Sequence, residues 1–461
     1  MSSAARPAPV PDTRPGALGG SFARVVAANL SSSLGDGIAR VAAPLLAVQL
    51  TNDPLLVSLV AVASLLPWLL FAIPAGVLVD RIDRRLALGL AGGVRALVAA
   101  GLLALHVTGT LTIWWLLLVV FVYGMLETVY DGAIRAVVPS LVGRGDLPRA
   151  NSRIEATEIV VQQFLSQPLT SWLLAFSAVW ALGLNTGAYA VAGGLALTLP
   201  AVASGMAGRR YGRATAGRDA EPVRDAVPGS DAEPPAPPEA PEASDGAQRS
   251  RAASMVTGWR AELAAGFRFI WDSAMLRPLW IVSVLIGLCH AAITSTLVLF
   301  ILERLDVPEA WYGTFLLAGA TGSLTAAALT NRLKTRFGTG PVMAVANAVG
   351  LGAWFLAGAF PLAWVGAVAI FVSFGCTTAW NVLVMSLRQA AVPNELLGRV
   401  HGTWRTALWG TMPLGSLIGG LLARGGYSTP LLVGAIAGLM VSAVGHRYIV
   451  SLPDPESLDP A

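Results

Sequence analysis

The sequence predicts an all-α membrane protein of twelve transmembrane helices, arranged as two six-helix bundles. Hydrophobic residues make up 55% of its 461 residues, only 13% are charged, and the mean hydropathy is +0.65. Soluble domains carry about 25% charged residues, so too few charges are present to cover a water-facing surface of this size. The apolar residues also occur in blocks of about 20, the length that a helix needs to cross a bilayer.

Twelve such blocks follow one another along the chain. We predict spans over 26–49, 55–78, 87–106, 112–138, 157–176, 178–203, 278–302, 311–331, 341–360, 362–386, 403–423 and 429–451. Continuous runs of Leu, Ala, Val and Gly exclude the strands of a membrane barrel, which alternate apolar and polar residues. Because lipid offers the backbone no hydrogen-bond partner, helices remain as the structure that crosses it.

The basic residues alternate between the two ends of the spans. Arg81, Arg84 and Arg85 follow span 2, and further groups follow spans 4, 6, 8 and 10. The turns between these groups hold no Lys or Arg at 51–54, 107–111, 174–179 and 358–361. This pattern follows the positive-inside rule and predicts a multi-pass protein with both termini in the cytoplasm. The net charge of +4 therefore indicates topology and not binding to nucleic acid. The basic residues are nearly all Arg, which indicates GC-rich bacterial coding, so a bacterial plasma membrane is expected.

A polar segment divides the chain into halves. It is rich in Pro, Ala, Glu, Asp and Arg, and it lacks the apolar residues that a packed core requires. The segment after it places apolar and charged residues at helical spacing, as in a helix that lies in the membrane interface. The predicted division is a cytoplasmic tail over 1–22, a bundle over 23–206, a disordered cytoplasmic linker over 207–251, an interfacial amphipathic helix over 252–277, a bundle over 278–451 and a cytoplasmic tail over 452–461.

The two halves repeat each other. The segment from Gly76 to Arg85 returns as Ala327 to Arg336, 251 positions later. The segment from Ala136 to Pro139 returns as Ala390 to Pro393, 254 positions later. Two echoes at nearly the same offset indicate duplicated six-helix units in parallel orientation.

The first of these segments carries a family resemblance. Gly76-Val-Leu-Val-Asp80-Arg81-Ile-Asp-Arg84-Arg85 resembles the signature loop G-x-L-x-D-R-x-x-R-R between helices 2 and 3 of the major facilitator superfamily. The chain around it is similar to the branch that holds bacterial siderophore and macrolide exporters, on the segments 34–36, 131–151 and 388–399. The resemblance covers all twelve spans and implies two bundles that alternate in opening a central path, lined by helices 1, 4, 7 and 10.

The resemblance also implies a cytoplasmic latch. Asp80 is expected to lie against the N-terminal end of helix 11, and Arg84 to pair with Asp131 of span 4. The second copy departs from the pattern because Asn331 replaces the acid. The gating and latch candidates are Asp80, Arg81, Arg84, Arg85, Asp131 and Arg135.

Polar side chains form stripes inside several spans. A charge at mid-bilayer costs roughly 2.5–3.5 kcal/mol on insertion scales, so such residues are expected to face a cavity or a partner. The cavity candidates are Asn29, Ser33, Arg40, Arg95, Tyr123, Gln162, Thr294, Thr377, Trp380 and Asn381. Asp36 lies close to the midplane, and we predict that it is the carboxylate that couples transport to protons. The further candidates for proton coupling are Glu127, Glu158 and His290.

Structural interpretations of the charged residues stay open at this point. Asp36 and Arg40 lie four residues apart and are expected either to line the cavity or to form a neutralised pair. Asp131 and Arg135 have the same spacing near the cytoplasmic end, which favours a structural or gating pair. Arg95, inside span 3, needs an acidic partner, and Asp36 lies nearest in depth.

The roles of His290 and of three tryptophans also have two open interpretations each. His290 is either a hydrogen-bonded core histidine or a proton carrier. Trp380, Trp404 and Trp409 either pack within the protein or face an apolar substrate.

No catalytic motif is present in the sequence, and no Walker A loop indicates use of ATP. Cys289 and Cys376 both lie inside predicted spans, so no disulfide, metal site or cofactor is expected. The chain is therefore predicted to be a monomeric secondary transporter and not an enzyme, with a small molecule, protons and membrane lipid as partners. We expect proton-coupled efflux of a small amphipathic compound, a drug or secondary metabolite. The alternatives are a proton-coupled importer of a small nutrient and a transport-inactive sensor or scaffold.

Overall fold

The computed structural model describes residues 19–200 and 262–458, apart from the side chains at 72, 73, 76, 77, 80, 81 and 144. Every regular element in these ranges is helical, as the sequence predicts. The predicted linker lies outside the described residues, as do most of the first tail and the start of the amphipathic helix. The side chains of Asp80 and Arg81, two of the latch candidates, also lie outside them.

The first half contains six helices joined by short turns. They are α1 (Gly19–Leu50), α2 (Pro54–Arg81), α3 (Arg84–Val107), α4 (Ile113–Leu141), α5 and α6 (Ala178–Leu197). Helix α5 has three parts, Leu147–Ile159, a π-helical turn over Val160–Leu165, and Ser166–Phe176. A π-turn inserts one extra residue into the helix, and such turns are common at functional sites.

The second half repeats this arrangement. Its helices are α7 (Leu276–Thr294), α8 (Glu309–Phe337), α9 (Thr339–Ala359), α10 (Ala363–Ala391), α11 (Asn394–Ala423) and α12 (Thr429–Val450). After α7 the chain continues through the short helix Leu297–Leu299 and a π-helical turn over Phe300–Arg304. A further helix over 262–272 precedes α7 and packs against α11, where a Cβ on Gly266 would lie 2.6 Å from the carbonyl oxygen of Arg399.

Nine of the helices in the described ranges are long and apolar enough to cross a membrane, namely α2 to α4 and α7 to α12. The other three predicted spans are α1, α5 and α6, which are helical as well. Helices α1 and α5 carry the charged and amide residues of the site described below, and α5 is interrupted by its π-turn. The polar residues that lower the mean hydropathy of α1 and α5 are therefore residues that face the interior of the protein.

Three helices begin earlier than the hydropathy indicates. Helix α1 begins at Gly19, α5 at Leu147 and α11 at Asn394, whereas the predicted spans begin at 26, 157 and 403. Hydropathy detects the part of a helix that contacts lipid. Hydrogen bonding within a helix does not require lipid, so the helices continue into polar sequence beyond the bilayer.

Each half has its own packing. In the first half α1 packs against α4, α5 and α6, while α3 packs against α4 and α6. In the second half α7 packs against α11 and α12, while α8 and α9 both pack along α10. The halves meet mainly along two pairs, α2 with α11 and α5 with α8, and α1 also contacts the short helix Leu297–Leu299. A space is thus left between the bundles, bounded by α1 and α4 on one side and by α7 on the other.

The halves are joined at the end that the charge pattern predicts to be extracytoplasmic, which we call the closed end. Arg424 and Asp53 form an ion pair at 2.6 Å. Gln49 donates to Glu309 at 3.0 Å, and the backbone N–H of Gly313 donates to Ser171 Oγ at 2.7 Å. All the hydrogen bonds between the two halves in the described parts of the chain lie near this end. The space between the bundles is therefore closed at one end.

Candidate functional site

A central cavity of about 400 Å³ lies between the two halves. Most of its lining comes from α1, α2 and α4, and α7, α8 and α11 close the other side. Its lining includes Asp36, Arg40, Trp68, Tyr123, Glu127, Tyr189, Thr294, Tyr312 and Trp409. Three of the predicted cavity residues, Arg40, Tyr123 and Thr294, and two predicted proton-coupling residues, Asp36 and Glu127, are thus brought together. The space is large enough for part of a drug-sized molecule.

Asp36 is held by three helices. Its Oδ1 accepts hydrogen bonds from Arg95 Nη1 at 3.3 Å and from the Tyr189 hydroxyl at 2.9 Å. Ser32, one turn earlier on α1, donates to Oδ2 at 3.4 Å and accepts from Arg95 at 3.0 Å. The structure thus pairs Arg95 with Asp36, the acidic partner that we predicted because the two residues lie at a similar depth in the membrane.

Arg95 is fully buried, whereas the Asp36 side chain is 11% exposed and faces the cavity. The Arg95 guanidinium lies 5.1 Å from the ring centre of Tyr130 and 5.3 Å from that of Tyr189. Its Nε and Nη2 atoms have no hydrogen-bond partner in the described part of the protein. A buried cation with so few partners depends on its carboxylate, because removal of one member of a buried ion pair leaves an uncompensated charge.

Gly35 makes the approach of Tyr189 possible. A Cβ at this position would lie 2.6 Å from Tyr189 Cε1, so any larger residue would push the ring away from Asp36. The Tyr123 hydroxyl donates to Asn185 at 3.0 Å, and Asn185 donates to the Gly35 carbonyl at 2.7 Å. The position of the carboxylate is therefore set by the packing of α1 against α6.

Arg40 pairs across helices and not along its own. Its Nη2 lies 2.9 Å from Glu127 of α4, and its side chain is 55% exposed to the cavity. The neutralised pair of Asp36 with Arg40 is not the arrangement found, because each of the two residues binds a partner on another helix. Arg40 and Glu127 thus form a charged pair on the cavity wall.

A smaller polar cavity of about 120 Å³ lies beside these pairs. Asn29 donates to Glu158 across it at 3.2 Å, which connects α1 to α5. Its lining includes Asn29, Ser33, Asp36, Arg40, Glu127, Asp131, Glu158 and Gln162. Arg135 is exposed and forms no ion pair with Asp131 among the described residues.

The charges at this site do not balance. Four carboxylates line the smaller cavity, those of Asp36, Glu127, Asp131 and Glu158. Two guanidinium groups are paired with them, those of Arg95 and Arg40. With all groups ionised, these six side chains carry two negative charges in excess, and Arg405, which stacks on Trp68 and Trp409 of the central cavity, lies close enough to Asp131 to offset part of that excess. Charges in a medium of low dielectric need compensation, so the site favours the entry of protons or of a cation.

The second half has a pocket of its own, of about 110 Å³, which we call the aromatic pocket. The ring of His290 lies 5.8 Å from that of Phe374 and 6.4 Å from that of Trp354. Besides His290 and Trp354, its lining includes Asn347, Ser373, Thr377, Trp380 and Asn381, and the described lining contains no Asp, Glu, Lys or Arg. The pocket is therefore uncharged apart from the titration of His290.

Two buried donors of the aromatic pocket have no partner in the described part of the chain. They are Trp354 Nε1 and Asn347 Nδ2, in residues that are 1% and 7% exposed. The pocket begins one helical turn from the central cavity, because His290 lines the former and Thr294 the latter. An acceptor group of a bound molecule would satisfy these donors.

Two of the latch candidates whose side chains are described, Arg84 and Arg85, contact their own half. Arg84 donates to the carbonyl of Ala136 on α4 at 2.7 Å, five residues beyond Asp131. Asp83 caps α3 by accepting from the backbone N–H of Arg85, and it forms an ion pair with the Arg85 side chain at 2.9 Å. These hydrogen bonds lower the pKa of the Asp83 carboxyl. The latch, in which Arg84 pairs with Asp131, stays a prediction.

The two remaining tryptophans differ in their surroundings. Trp404 is buried and lies under the Arg388 guanidinium at 4.8 Å, so it packs within the second half. Trp409 lines the central cavity and contacts Trp68 of the other half, with ring centres 5.3 Å apart. Arg405 stacks on both rings of this pair.

Sequence reasoning missed several residues of the site. Tyr189 and Tyr130 hold the Arg95 and Asp36 pair, and Trp68 and Tyr312 line the central cavity. Each is a single aromatic residue in an apolar span, where packing is the ordinary expectation. The one available signal was the hydroxyl group of each tyrosine, which needs a hydrogen-bond partner when buried.

The fold is shared with solved transporters. Superposition on the nucleoside transporter NupG gives a TM-score of 0.66 at 13% identity, covering 94% of this chain and 100% of that one. A bacterial homologue of the iron transporter ferroportin, in an inward-facing state, gives 0.65 at 14% identity over 94% and 99%. A POT family transporter in complex with a thioalcohol-conjugated peptide gives 0.63 at 12% identity over 93% and 96%. At these identities the likeness shows the fold alone.

No curated protein matches the sequence significantly. The sequence profile of the Major Facilitator Superfamily, by contrast, matches residues 25–412. This match covers most of both bundles and confirms the family that the loop after α2 indicates. The chain therefore belongs to the Major Facilitator Superfamily and is a multi-pass membrane transporter for a small molecule.

Proposed function

We propose that this transporter is a proton-coupled exporter of small amphipathic organic compounds, working by alternating access of its two halves. The observation that carries the proposal is the excess of negative charge beside a cavity between the halves. Such an excess is neutralised either by protons or by a cationic group of the substrate. Competition between the two for one site is the simplest basis for exchange of substrate against protons.

Asp36 is the residue proposed to carry the proton. It faces the cavity, so water can reach it, and it is bound to the buried Arg95 and to Tyr189. Protonation would weaken the bond to Arg95, and this would loosen the contact of α1 with α3 and α6. The proton is thereby linked to the packing of the first half. Glu127 and Glu158 are proposed as the next carboxylates along the same wall.

The substrate is proposed to contact both halves. Its positively charged group would enter the smaller polar cavity, where Asp131 and Glu158 form no ion pair among the described residues, and an uncharged acceptor group would enter the aromatic pocket toward Trp354 and Asn347. The lining between them contains Trp68, Tyr312 and Trp409, which suits an apolar body. An amphipathic compound with one basic group is the class that fits this arrangement.

The export direction is proposed from the charge pattern and from the resemblance to exporters. The positive-inside rule assigns the closed end to the outside, so the cavity would open toward the cytoplasm, where an exporter loads. In the opposite state the contacts of Asp53, Gln49 and Gly313 would break. The latch of Asp80, Arg84, Arg85 and Asp131, with Arg81 and Arg135 beside it, would then hold the cytoplasmic end closed. Both termini are proposed to be cytoplasmic, and the protein to be a monomer in a bacterial plasma membrane.

Transport of ethidium in inside-out membrane vesicles tests the proposal. Respiration acidifies the lumen of such vesicles, so a proton-coupled exporter should accumulate ethidium there, and nigericin should abolish the accumulation. Vesicles that contain the Asp36→Asn variant provide the matched background. Proton-driven uptake only in right-side-out vesicles would establish import instead. Absence of ethidium, rhodamine and tetraphenylphosphonium transport in both orientations would contradict the proposal and favour the scaffold interpretation.

A further inference from the structure

The outer surface of the second half contains an open groove of about 530 Å³. Helices α8 and α9 each pack along α10 but contact each other little, so α10 forms the floor between them. The walls are apolar side chains, including Leu333 and Phe337 of α8 and Val345 and Val349 of α9. Phe337, Val345 and Val349 are 56%, 61% and 48% exposed. We call this surface the α8–α10 groove.

Small residues keep the groove open. Gly322 and Ala326 on α8 face Gly375 and Ala379 on α10 along its floor. The two helices touch there through their backbones, since a Cβ on Gly322 would lie 2.0 Å from the carbonyl oxygen of Phe371. The close packing of α8 on α10 through small residues therefore creates the groove.

The groove has the length and direction of a lipid chain. Its lining on α8 extends from Gly322 to Phe337, which corresponds to about 22 Å along a helix. This distance leads from the middle of the membrane to the end where basic residues follow span 8. A long apolar chain that enters from one leaflet would fit a groove of this length and direction.

The mouth of the groove is basic. The Arg336 guanidinium lies 5.3 Å from the ring centre of Phe337, which lines the groove. Arg332 is exposed one turn earlier on the same face of α8. Lys334 between them is bonded to Glu456, but Arg332 and Arg336 have no ion-pair partner among the described residues. Two cations thus border an apolar groove.

We propose that the α8–α10 groove binds an anionic phospholipid. One acyl chain would occupy the groove, and the headgroup phosphate would lie between Arg332 and Arg336. Basic sites between transmembrane helices on the cytoplasmic side favour anionic headgroups in this way. A zwitterionic lipid fills the same groove but brings no net negative charge to the two arginines. This inference does not depend on the direction or coupling of transport.

Native mass spectrometry of the purified full-length chain tests the proposal. The protein is titrated with dioleoyl phosphatidylglycerol or with dioleoyl phosphatidylcholine, and the affinity of the first bound lipid is compared. We expect preference for phosphatidylglycerol by about 25-fold, since each of the two arginines contributes about fivefold near an anionic lipid. The Arg332→Gln and Arg336→Gln double variant should lose this preference and keep its binding of phosphatidylcholine.

Two further variants separate the headgroup from the chain. Val345→Trp should fill the groove and weaken the first binding step of both lipids. Arg149→Gln with Arg153→Gln removes two exposed arginines at the same spacing from the other half, and it should leave the preference intact. Equal affinity for both lipids in the unaltered protein would overturn the proposal. So would unchanged phosphatidylglycerol binding by Val345→Trp, or an equal loss with the Arg149 and Arg153 pair.

Discussion

The two halves of this transporter share a fold but differ in the chemistry of their inner faces. The first half carries four carboxylates and two paired arginines around its cavities. The second half carries an uncharged pocket in which His290 packs against Trp354 and Phe374. The two sequence echoes between the halves predict that they are duplicated units, and on that prediction the contrast concerns residues at corresponding positions.

The offset between the repeated segments shows which residue of the second half corresponds to each residue of the first. At the 254-residue offset of the second echo, Asp36 corresponds to His290 and Glu127 to Asn381. Arg40 corresponds to Thr294 and Tyr123 to Thr377 at the same offset, and Arg95 lies 252 residues before Asn347. Four charged positions in the first half thus correspond to uncharged polar positions in the second, whereas Asp131 and Glu158 correspond to Met385 and Met412 at the 254-residue offset.

This difference indicates that the two halves contribute differently to transport. A charge inside the membrane is costly, so it is retained where a proton or a cation must be exchanged. An uncharged polar pocket recognises shape and hydrogen bonds with little dependence on pH. We therefore expect substitutions in the first half to affect coupling, and substitutions in the second half to affect affinity for the substrate.

The largest effect is expected for Asp36→Asn. This variant cannot exchange a proton, so proton-driven transport in proteoliposomes should fall at least 100-fold. It also leaves Arg95 as an uncompensated buried charge, which costs roughly 3–5 kcal/mol of stability. The double variant Asp36→Asn with Arg95→Gln should regain much of the melting temperature without regaining transport.

The matched control for this prediction is Asp272→Asn, which removes an exposed acid on the helix over 262–272. It should transport at the normal rate. Normal transport by Asp36→Asn would show that the coupling carboxylate lies elsewhere, with Glu127 and Glu158 the next positions to change.

Gly313→Ala is expected to have the next largest effect. The two halves can contact the same substrate molecule only as long as the closed end seals the cavity between them. A Cβ at Gly313 would lie 1.8 Å from the carbonyl oxygen of Gln167, so α8 must move away from α5. We expect a population shift toward opening at that end, measured as a longer distance between spin labels at 52 and 425. Gly352→Ala, which adds a Cβ to open space, should leave the distance unchanged.

A smaller effect is expected for His290→Gln. The substitution keeps a hydrogen-bonding side chain in the aromatic pocket, so the apparent affinity for substrate should fall by about three- to tenfold. The dependence of the transport rate on pH should keep its shape. If that dependence disappears instead, His290 is a proton carrier, and the contrast between the halves is wrong.

The smallest effect is expected at the Asp53 and Arg424 pair. The hydrogen bonds from Arg424 lower the pKa of the exposed Asp53 carboxyl below its usual 3.8. A lowered pKa means that the pair is intact above pH 4 and is lost only as the pH falls through that lower value. The closed population should therefore be constant between pH 5 and 8. Asp53→Asn should reduce it by at most about fivefold, because exposed ion pairs contribute little.

Much of the site could be predicted from the depth of ionisable residues within the predicted spans and from their spacing along each helix. Asp36, Glu127, Arg95 and Glu158 stood out because ionisable residues are rare in apolar spans. Depth in the membrane predicted Asp36 as the partner of Arg95, whereas the pairing of Arg40 with Glu127 was not predicted, because spacing along α1 offered only Asp36 as a partner for Arg40. Spacing along one helix shows which residues share a face, but not which neighbouring helix meets that face.

The sequence by itself determined the helical membrane class, the division into two halves and the superfamily. These follow from apolar block length, from the alternation of arginines and from a repeated loop, all of which are local properties of the chain. Only the tertiary structure decided which end is closed, which carboxylates lack a cation, and that the second half forms an aromatic pocket. Those features depend on how α1 meets α3 and α6 and on how α8 meets α5, and contacts between helices are set by side-chain shape across several turns.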